Sequence, residues 1–328
     1  MQASIKPISA LLLCISIFSL SCKDEKVKPD YRAEMRKFVE KISEKGEEWK
    51  PGFLVVPQNG LALLSSDGTA QGNGDNAYIT AIDGVGQEEV WYGYDNRDDE
   101  VTPEPEHTEM LNMCLFARNH GLKVLVTDYA ASDEKINDSY AKNFANGFIS
   151  FTADHRELDN IPLHPTQPYN YSNSTSPTTC ADARNFLYII NPSSYNTKEE
   201  FITALENSRY DVYVIDLYFN EDEIVDTADL NRIRRGHNGS LCKILCYMST
   251  GEAEAYRWYW KPYWYVTPPE FLVAENPSWP DNFVVRYWDP NWQNIICGSG
   301  DSYLRRIVNA GFDGVYLDLV SQYEYFEE

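Results

Sequence analysis

The chain has 328 residues, enough for one large domain or two ordinary ones. A formal charge of −22 excludes a nucleic-acid partner, because phosphate binding needs a basic face. Eight Trp, 23 Tyr and 14 Phe are a heavy aromatic load, suited to core filling and, in an acidic secreted protein, to platforms with an apolar face and a polar edge.

Lys6, the apolar run from Ile8 to Leu20 and the junction Ser21-Cys22 read as a removable leader, too short to span a membrane comfortably. The segment resembles a bacterial lipoprotein signal, with Cys22 as the lipidated residue and Ser19 where such signals usually carry Leu. Lys23-Asp24-Glu25 looks like the acidic tag of surface lipoproteins. The expected organisation is a signal over 1–22, a tether over 23–30 and one domain over 31–328, in a cell-envelope lipoprotein of the outer membrane, exposed at the surface. The membrane is then met through a lipid anchor only. Cys114, Cys180, Cys242, Cys246 and Cys297 form no CxxC pair and the histidines are scattered, so neither a metal nor a cofactor is implied.

Tyr31 to Gly46 reads as an amphipathic helix with Met35, Phe38, Val39 and Ile42 on one face. Gly52 to Asn59 and Ala77 to Glu89 are strand candidates that run into polar groups. Glu106 to His120 is helical, closed by Gly121, and Lys123 to Tyr129 is a strand ending in an acid. Ser132 or Asp133 caps a helix that ends near Asn146-Gly147, before the short run Phe148 to Phe151. Ile161 to Asp182 is rich in Pro, Ser, Thr and Asn and reads as a surface linker. Alternation then resumes: strand Phe186 to Asn191, helix Lys198 to Ser208, strand Asp211 to Asp216, helix Thr227 to Gly236 and strand Lys243 to Met248. Phe283 to Asp289 is a further strand, and Asp301 to Ala310 a helix closed by Gly311. The last strand, Gly311 to Asp318, alternates apolar Val315 and Leu317 with Gly314, Tyr316 and Asp318.

Short apolar strands alternating with helices predict a parallel α/β fold, and acids at strand ends favour a (β/α)8 TIM barrel, which gathers those ends at one mouth. Nine candidates compete for eight places, with Phe148 to Phe151 the expected accessory strand. The chain opens on a helix and closes on a strand, as if a βα ring were cut between a strand and its helix. A circularly permuted barrel is therefore expected, with the first helix covering the last strand and the 161–182 linker closing the ring elsewhere.

Tyr213-Val-Ile-Asp216, Tyr247-Met-Ser-Thr-Gly-Glu-Ala-Glu254 with Tyr256-Arg257, Val285-Arg-Tyr-Trp-Asp-Pro290 and Gly311-Phe-Asp-Gly-Val-Tyr-Leu-Asp318 resemble glycoside hydrolase family 114, the polygalactosaminidase-like barrels. Pro51 to Asn59, Ile82-Asp-Gly-Val-Gly-Gln-Glu88, Tyr92-Gly-Tyr94 and Val124 to Tyr129 match too, but here they precede the first group where relatives have them after it. Glycosidic cleavage usually needs two carboxyl groups. The resemblance places them at Asp318, leaning to nucleophile or base, and at Glu88, leaning to proton donor, with Glu89 a one-residue alternative. It implies substrate-binding roles for Asp216, Asp128, Tyr129, Asn59, Glu252, Glu254, Arg257, Tyr94 and Trp288. For Asp216 and Asp128 a structural role, orienting a neighbouring side chain, is equally open. Glu252 and Glu254 are expected at a helix N-terminus. The aromatic cluster Trp258 to Tyr265 suits either a sugar platform or a packed lid. The implied partner is a polysaccharide or oligosaccharide, with amino sugars suiting an acidic mouth. A surface lipoprotein that binds carbohydrate without turnover is the alternative. An esterase would need a GxSxG elbow, which the sequence lacks.

Overall fold

The computed structural model describes residues 28–171, 180–236 and 242–327, so Cys22 and the leader lie outside the described residues. Lys28 to Asp30 carry no regular secondary structure, and Tyr31–Glu328 is one compact unit. Eight parallel strands organise that unit: β1 (Leu54–Pro57), β2 (Gly84–Glu88), β3 (Lys123–Tyr129), β4 (Ile149–Ala153), β5 (Phe186–Ile189), β6 (Val212–Ile215), β7 (Lys243–Ser249) and β8 (Gly314–Asp318). One five-stranded sheet has the order β1-β8-β7-β6-β5, and a three-stranded sheet the order β2-β3-β4. β1 meets β2 through a parallel bridge between Gln58 and Gly86 and through Asp83 N–H donating to the Val55 carbonyl at 2.9 Å. β4 runs beside β5, with the Phe151 and Phe186 rings 6.1 Å apart. The result is a mixed α/β, TIM-like fold whose strand neighbours follow chain order.

The strands are almost wholly buried, as expected of short apolar runs covered on both faces. Two glycines let them approach. A Cβ on Gly314 would lie 2.2 Å from the Leu54 carbonyl oxygen, and one on Gly86 2.0 Å from the Tyr316 hydroxyl. Tyr316 of β8 thus reaches past β1 to the backbone of β2, and its ring lies 5.1 Å from that of Tyr188 on β5.

The helices follow their sequence signals. α1 (Tyr31–Trp49) buries Met35, Phe38, Val39 and Ile42, each worth about 1.5–3 kcal/mol when fully removed from water. It packs against β1, helix Asn76–Ala81 and helix Tyr303–Ala310. The latter starts at Ser302, whose hydroxyl accepts from Arg305 N–H, and stops at Gly311 in the left-handed region (φ 102°). Lys198–Asn207 and Asp133–Ala145 open on Thr197 and Ser132 caps.

Four expectations need correction. Ala77 to Glu89 is not one strand: Asp75 accepts from Tyr78 N–H and caps a short helix that buries Tyr78, and β2 follows. Phe148 to Phe151 is not accessory but starts β4, because its backbone ladders with β3. The outsider is Phe283 to Asp289, whose strand portion Asn282–Val285 pairs antiparallel with Glu252–Glu254 and Leu272–Glu275. Glu252 and Glu254 consequently sit on a strand of that small sheet, not on a helix. The 161–182 linker is partly anchored: Tyr169 stacks on Tyr140 with ring centroids 5.0 Å apart, and Cys180–Asp182 forms a 3-10 turn with Cys180 buried.

Candidate active site

A cleft of about 710 Å³ opens where the parallel strands end. Asn59 beyond β1, Glu88 on β2, Tyr129 on β3, Asp216 beyond β6 and Asp318 on β8 all line it. Parallel strands of similar length terminate together, so residues far apart in sequence share one rim.

Glu88 sits in a socket of three side-chain donors. Its Oε2 accepts from Asn59 Nδ2 at 2.6 Å and from Gln58 Nε2, and its Oε1 from the Tyr129 hydroxyl. Asn59 is in the left-handed region (φ 65°), which Asn tolerates better than most residues, and its Oδ1 accepts the Glu88 N–H at 3.0 Å. Amide and carboxylate therefore fix each other's position.

Asp318 is held differently. The Tyr247 hydroxyl donates to Oδ2 at 2.7 Å and the Leu319 N–H to Oδ1 at 2.8 Å. Burial, and next the negative charge of Glu88, push its pKa up to about 7 despite those two donors. The raised pKa expected of a proton donor thus falls on Asp318, where the sequence leaned towards Glu88. Burial and the adjacent carboxylates also drive the Tyr129 and Tyr247 phenols far above their ordinary value, so both remain donors.

The other side of the cleft carries an ion-pair cluster. Arg257 donates Nη1 to Asp216 Oδ1 at 2.8 Å and Nη2 to Asp216 Oδ2 at 2.5 Å, while its Nε donates to Glu254 Oε2 at 2.8 Å. The Arg257 and Glu254 side chains are 3% exposed and that of Asp216 7%, so the charges are desolvated but paired in bidentate geometry. Tyr256 completes the set by donating to Glu254 Oε1 at 2.7 Å. Asp216 therefore orients an arginine, the structural role left open for it, while also lining the cleft. Glu252 stands alongside, accepting at Oε1 from Asn276 Nδ2 at 2.8 Å, and burial raises its pKa.

Three expected binding residues do not line this cleft. Asp128 is fully buried and all its hydrogen bonds are internal: Trp91 and Tyr92 N–H groups donate to Oδ1, and Ser139 and Asn143 side chains to Oδ2. It ties the segment after β2 to helix Asp133–Ala145 and has no face for a sugar. Trp288 packs with Tyr31, Tyr287 and Phe326, with ring centroids 4.7–5.1 Å away, in a cluster around the start of α1. Tyr94 lies in a 3-10 turn beyond β2. Glu89 turns to Arg156, 2.8 Å from its Nη1.

Gln58, Tyr188, Tyr247 and Arg156 line the cleft although the sequence reading assigned none of them a role. Gln58 and Tyr247 carried a usable signal, being polar groups at the ends of apolar strands. Arg156 stacks 4.0 Å over the Tyr129 ring, a contact that only the fold creates. Among the described residues, no group of three or more His, Cys, Asp or Glu is placed to hold a metal ion.

Comparison with known proteins places this geometry in a lineage. An uncharacterized protein of Methanocaldococcus jannaschii is 34% identical over 189 residues, covering 55% of this chain and 49% of its own. Uncharacterized proteins of Deinococcus radiodurans (36% over 123 residues; 38% of this chain, 37% of theirs) and Thermotoga maritima (43% over 84 residues; 26% and 25%) also match. The chain thus spans about half the length of the first relative and less of the other two. The profile of glycoside-hydrolase family GH114 matches residues 164–328, half of the chain, including Asp216, Glu254, Arg257 and Asp318. With that match and those residues lining one acidic cleft, the chain belongs to glycoside-hydrolase family GH114.

Proposed function

We propose that this protein hydrolyses glycosidic bonds in a polysaccharide containing amino sugars, using Asp318 and Glu88 as its two carboxyl groups. The observation that carries the reading is their convergence: residues ending β8 and β2 line one cleft, and the charge of Glu88 acts on Asp318 strongly enough to help raise its pKa to about 7. A binding-only lectin has no need of a carboxyl poised near neutrality, so the pair favours turnover. Asp318, its pKa raised towards neutrality, is the member able to hold a proton and give it to the glycosidic oxygen as the C–O bond breaks. Glu88, fixed by three donors, then attacks the anomeric carbon or takes a proton from the water that does. The anomeric configuration of the first product, followed by NMR, distinguishes these two courses.

Charge supports the substrate class. Seven carboxyl residues and two arginines line the cleft, and Arg257 is engaged by Asp216 and Glu254. The remaining negative field suits a cationic sugar chain. The test is digestion of α-1,4-linked galactosamine polymer and its N-acetylated form, with neutral polysaccharides as controls and product sizing as readout. Absence of cleavage across that panel overturns the activity.

The reading extends to the barrel. Packing of Tyr316 on both Gly86 and Tyr188, residues of strands not adjacent to its own, supports eight strands closed around one interior. α1 lies between helix Tyr303–Ala310 and helix Asn76–Ala81, where the helix after β8 belongs. The family match confined to residues 164–328 fits a block order swapped relative to relatives, hence a circular permutation. Lipidation at Cys22 and display on the outer membrane complete the proposal. Fatty-acid labelling of the wild type, and equal labelling of Cys22→Ala, are the outcomes that support and sink it.

A further inference from the structure

The small antiparallel sheet is not needed to complete the parallel strands, yet it lines the cleft. Its hairpin tip, between strands Leu272–Glu275 and Asn282–Val285, is held rigid by its own hydrogen bonds. Asn276 N–H donates to the Asn282 carbonyl at 2.7 Å, Asn282 N–H to the Trp279 carbonyl at 3.2 Å, and Ser278 N–H to Asn276 Oδ1 at 2.9 Å. Asp281 N–H donates to Glu275 Oε1 at 3.1 Å. This braced tip presents Trp279, which lines the cleft with 54% of its surface exposed. That indole is not part of the hydrophobic core. It offers a flat apolar face at low conformational cost.

Beside it stands Glu252, 3% exposed and also lining the cleft. Asn276, from the same tip, donates to its Oε1, and Oε2 accepts from none of the described residues. A nearly buried carboxylate with one free oxygen facing a cleft is costly unless a donor arrives there. Glu254, two residues along the same strand, is by contrast taken up by Arg257 and Tyr256.

We infer that Trp279, Glu252 and Asn276 form a distal sugar subsite, remote in sequence from the Asp318–Glu88 pair: the Trp279 indole stacks on a pyranose ring and Glu252 receives an ammonium or other cationic donor on it. The subsite rests on the proposed hydrolase reading and adds to it a second point of recognition, on an element outside the parallel strands.

The test uses the full chain and α-1,4-galactosamine oligomers of graded length, with cleavage rate and calorimetric affinity both recorded. Trp279→Ala lowers affinity for the longest oligomers about tenfold or more, and the loss shrinks as the oligomers shorten. Glu252→Gln narrows the preference for amine over N-acetyl oligomers in both affinity and cleavage rate. If both variants match the wild type at every length while cleavage persists, the subsite is wrong and the hydrolase reading stands. If the wild type neither binds nor cleaves any oligomer, both fall.

Discussion

Asp318 and Asp216 are both aspartates at the C-terminal ends of parallel strands in the same cleft, and they have opposite fates. Asp216 meets a guanidinium in bidentate geometry, with Glu254 on the guanidinium's other edge, and the three form a closed ion-pair unit. Asp318 meets a phenol and a backbone amide, and faces another carboxylate, Glu88. A cation beside a buried acid fixes its charge and ends its chemistry. A second acid without a cation leaves a proton to be exchanged. The partner, more than the residue type or the strand position, decides whether such an acid is locked into an ion pair or left with a raised pKa.

The comparison breaks most sharply on activity. Asp318→Asn and Glu88→Gln are each expected to lower kcat by about 10²–10⁴-fold or more, while binding of galactosamine oligomers by calorimetry persists. Near wild-type turnover in either variant removes that residue from the pair. The division of labour is sharpened with an aryl glycoside, whose good leaving group needs no proton. Asp318→Asn should retain more of its rate there than Glu88→Gln, and the reverse order restores Glu88 as donor.

On the structural side, Arg257→Ala leaves Asp216 and Glu254 buried without their cation and should cost about 3–5 kcal/mol in denaturant unfolding. Asp128→Ala strips the Trp91 and Tyr92 N–H groups, Ser139 and Asn143 of their acceptor and should cost about 1–3 kcal/mol. A loss below a few tenths for Arg257→Ala would mean the unit adds nothing to the fold.

The smallest expected effect has a sign that depends on pH. Asp318 has an ordinary pKa of 3.8 when unfolded and about 7 when folded, so the native state binds the extra proton between those values. Its contribution to stability is complete below pH 4 and is lost as pH rises through 7. Asp318→Asn should therefore stabilise the protein at pH 8, by on the order of 1–3 kcal/mol, and do nothing at pH 3.5. Thermal unfolding of both proteins across that range is the measurement. Destabilisation at pH 8 would contradict the raised pKa.

Much of this was legible in the sequence, and what was not has physical causes. The apolar run and acid of β8 and the stop at Gly311 are local signals, and each was read correctly, whereas the Ser302 cap starts the helix a little later than the Asp301 read from the sequence. The run Phe148 to Phe151 is too short for periodicity to say which sheet it joins, and only pairing with β3 decides it. Glu252 and Glu254 looked like a helix start because acids favour one, whereas register with Val284 and Asn282 made them a strand. Asp128 and Asp318 end strands with the same apolar-then-acid design. Nothing local tells that one is enclosed by Ser139 and Asn143 while the other lines a cleft. Tyr247 and Gln58, though inside the family motifs, were given no role because a polar residue beside a strand end acquires meaning only from its neighbour across the mouth.

The pairing of β8 has a consequence for how the chain is made. Leu54 ladders with Gly314, and β8 lies between β1 and β7 in the larger sheet. During synthesis β1 waits, one edge unsatisfied, until the residues between Pro57 and Gly314 have left the ribosome. Such a distant pairing slows assembly and exposes an apolar edge in the interim. The same late segment delivers Asp318, so a product truncated before residue 314 lacks at once the strand that joins β1 to β7 and the carboxyl proposed as proton donor.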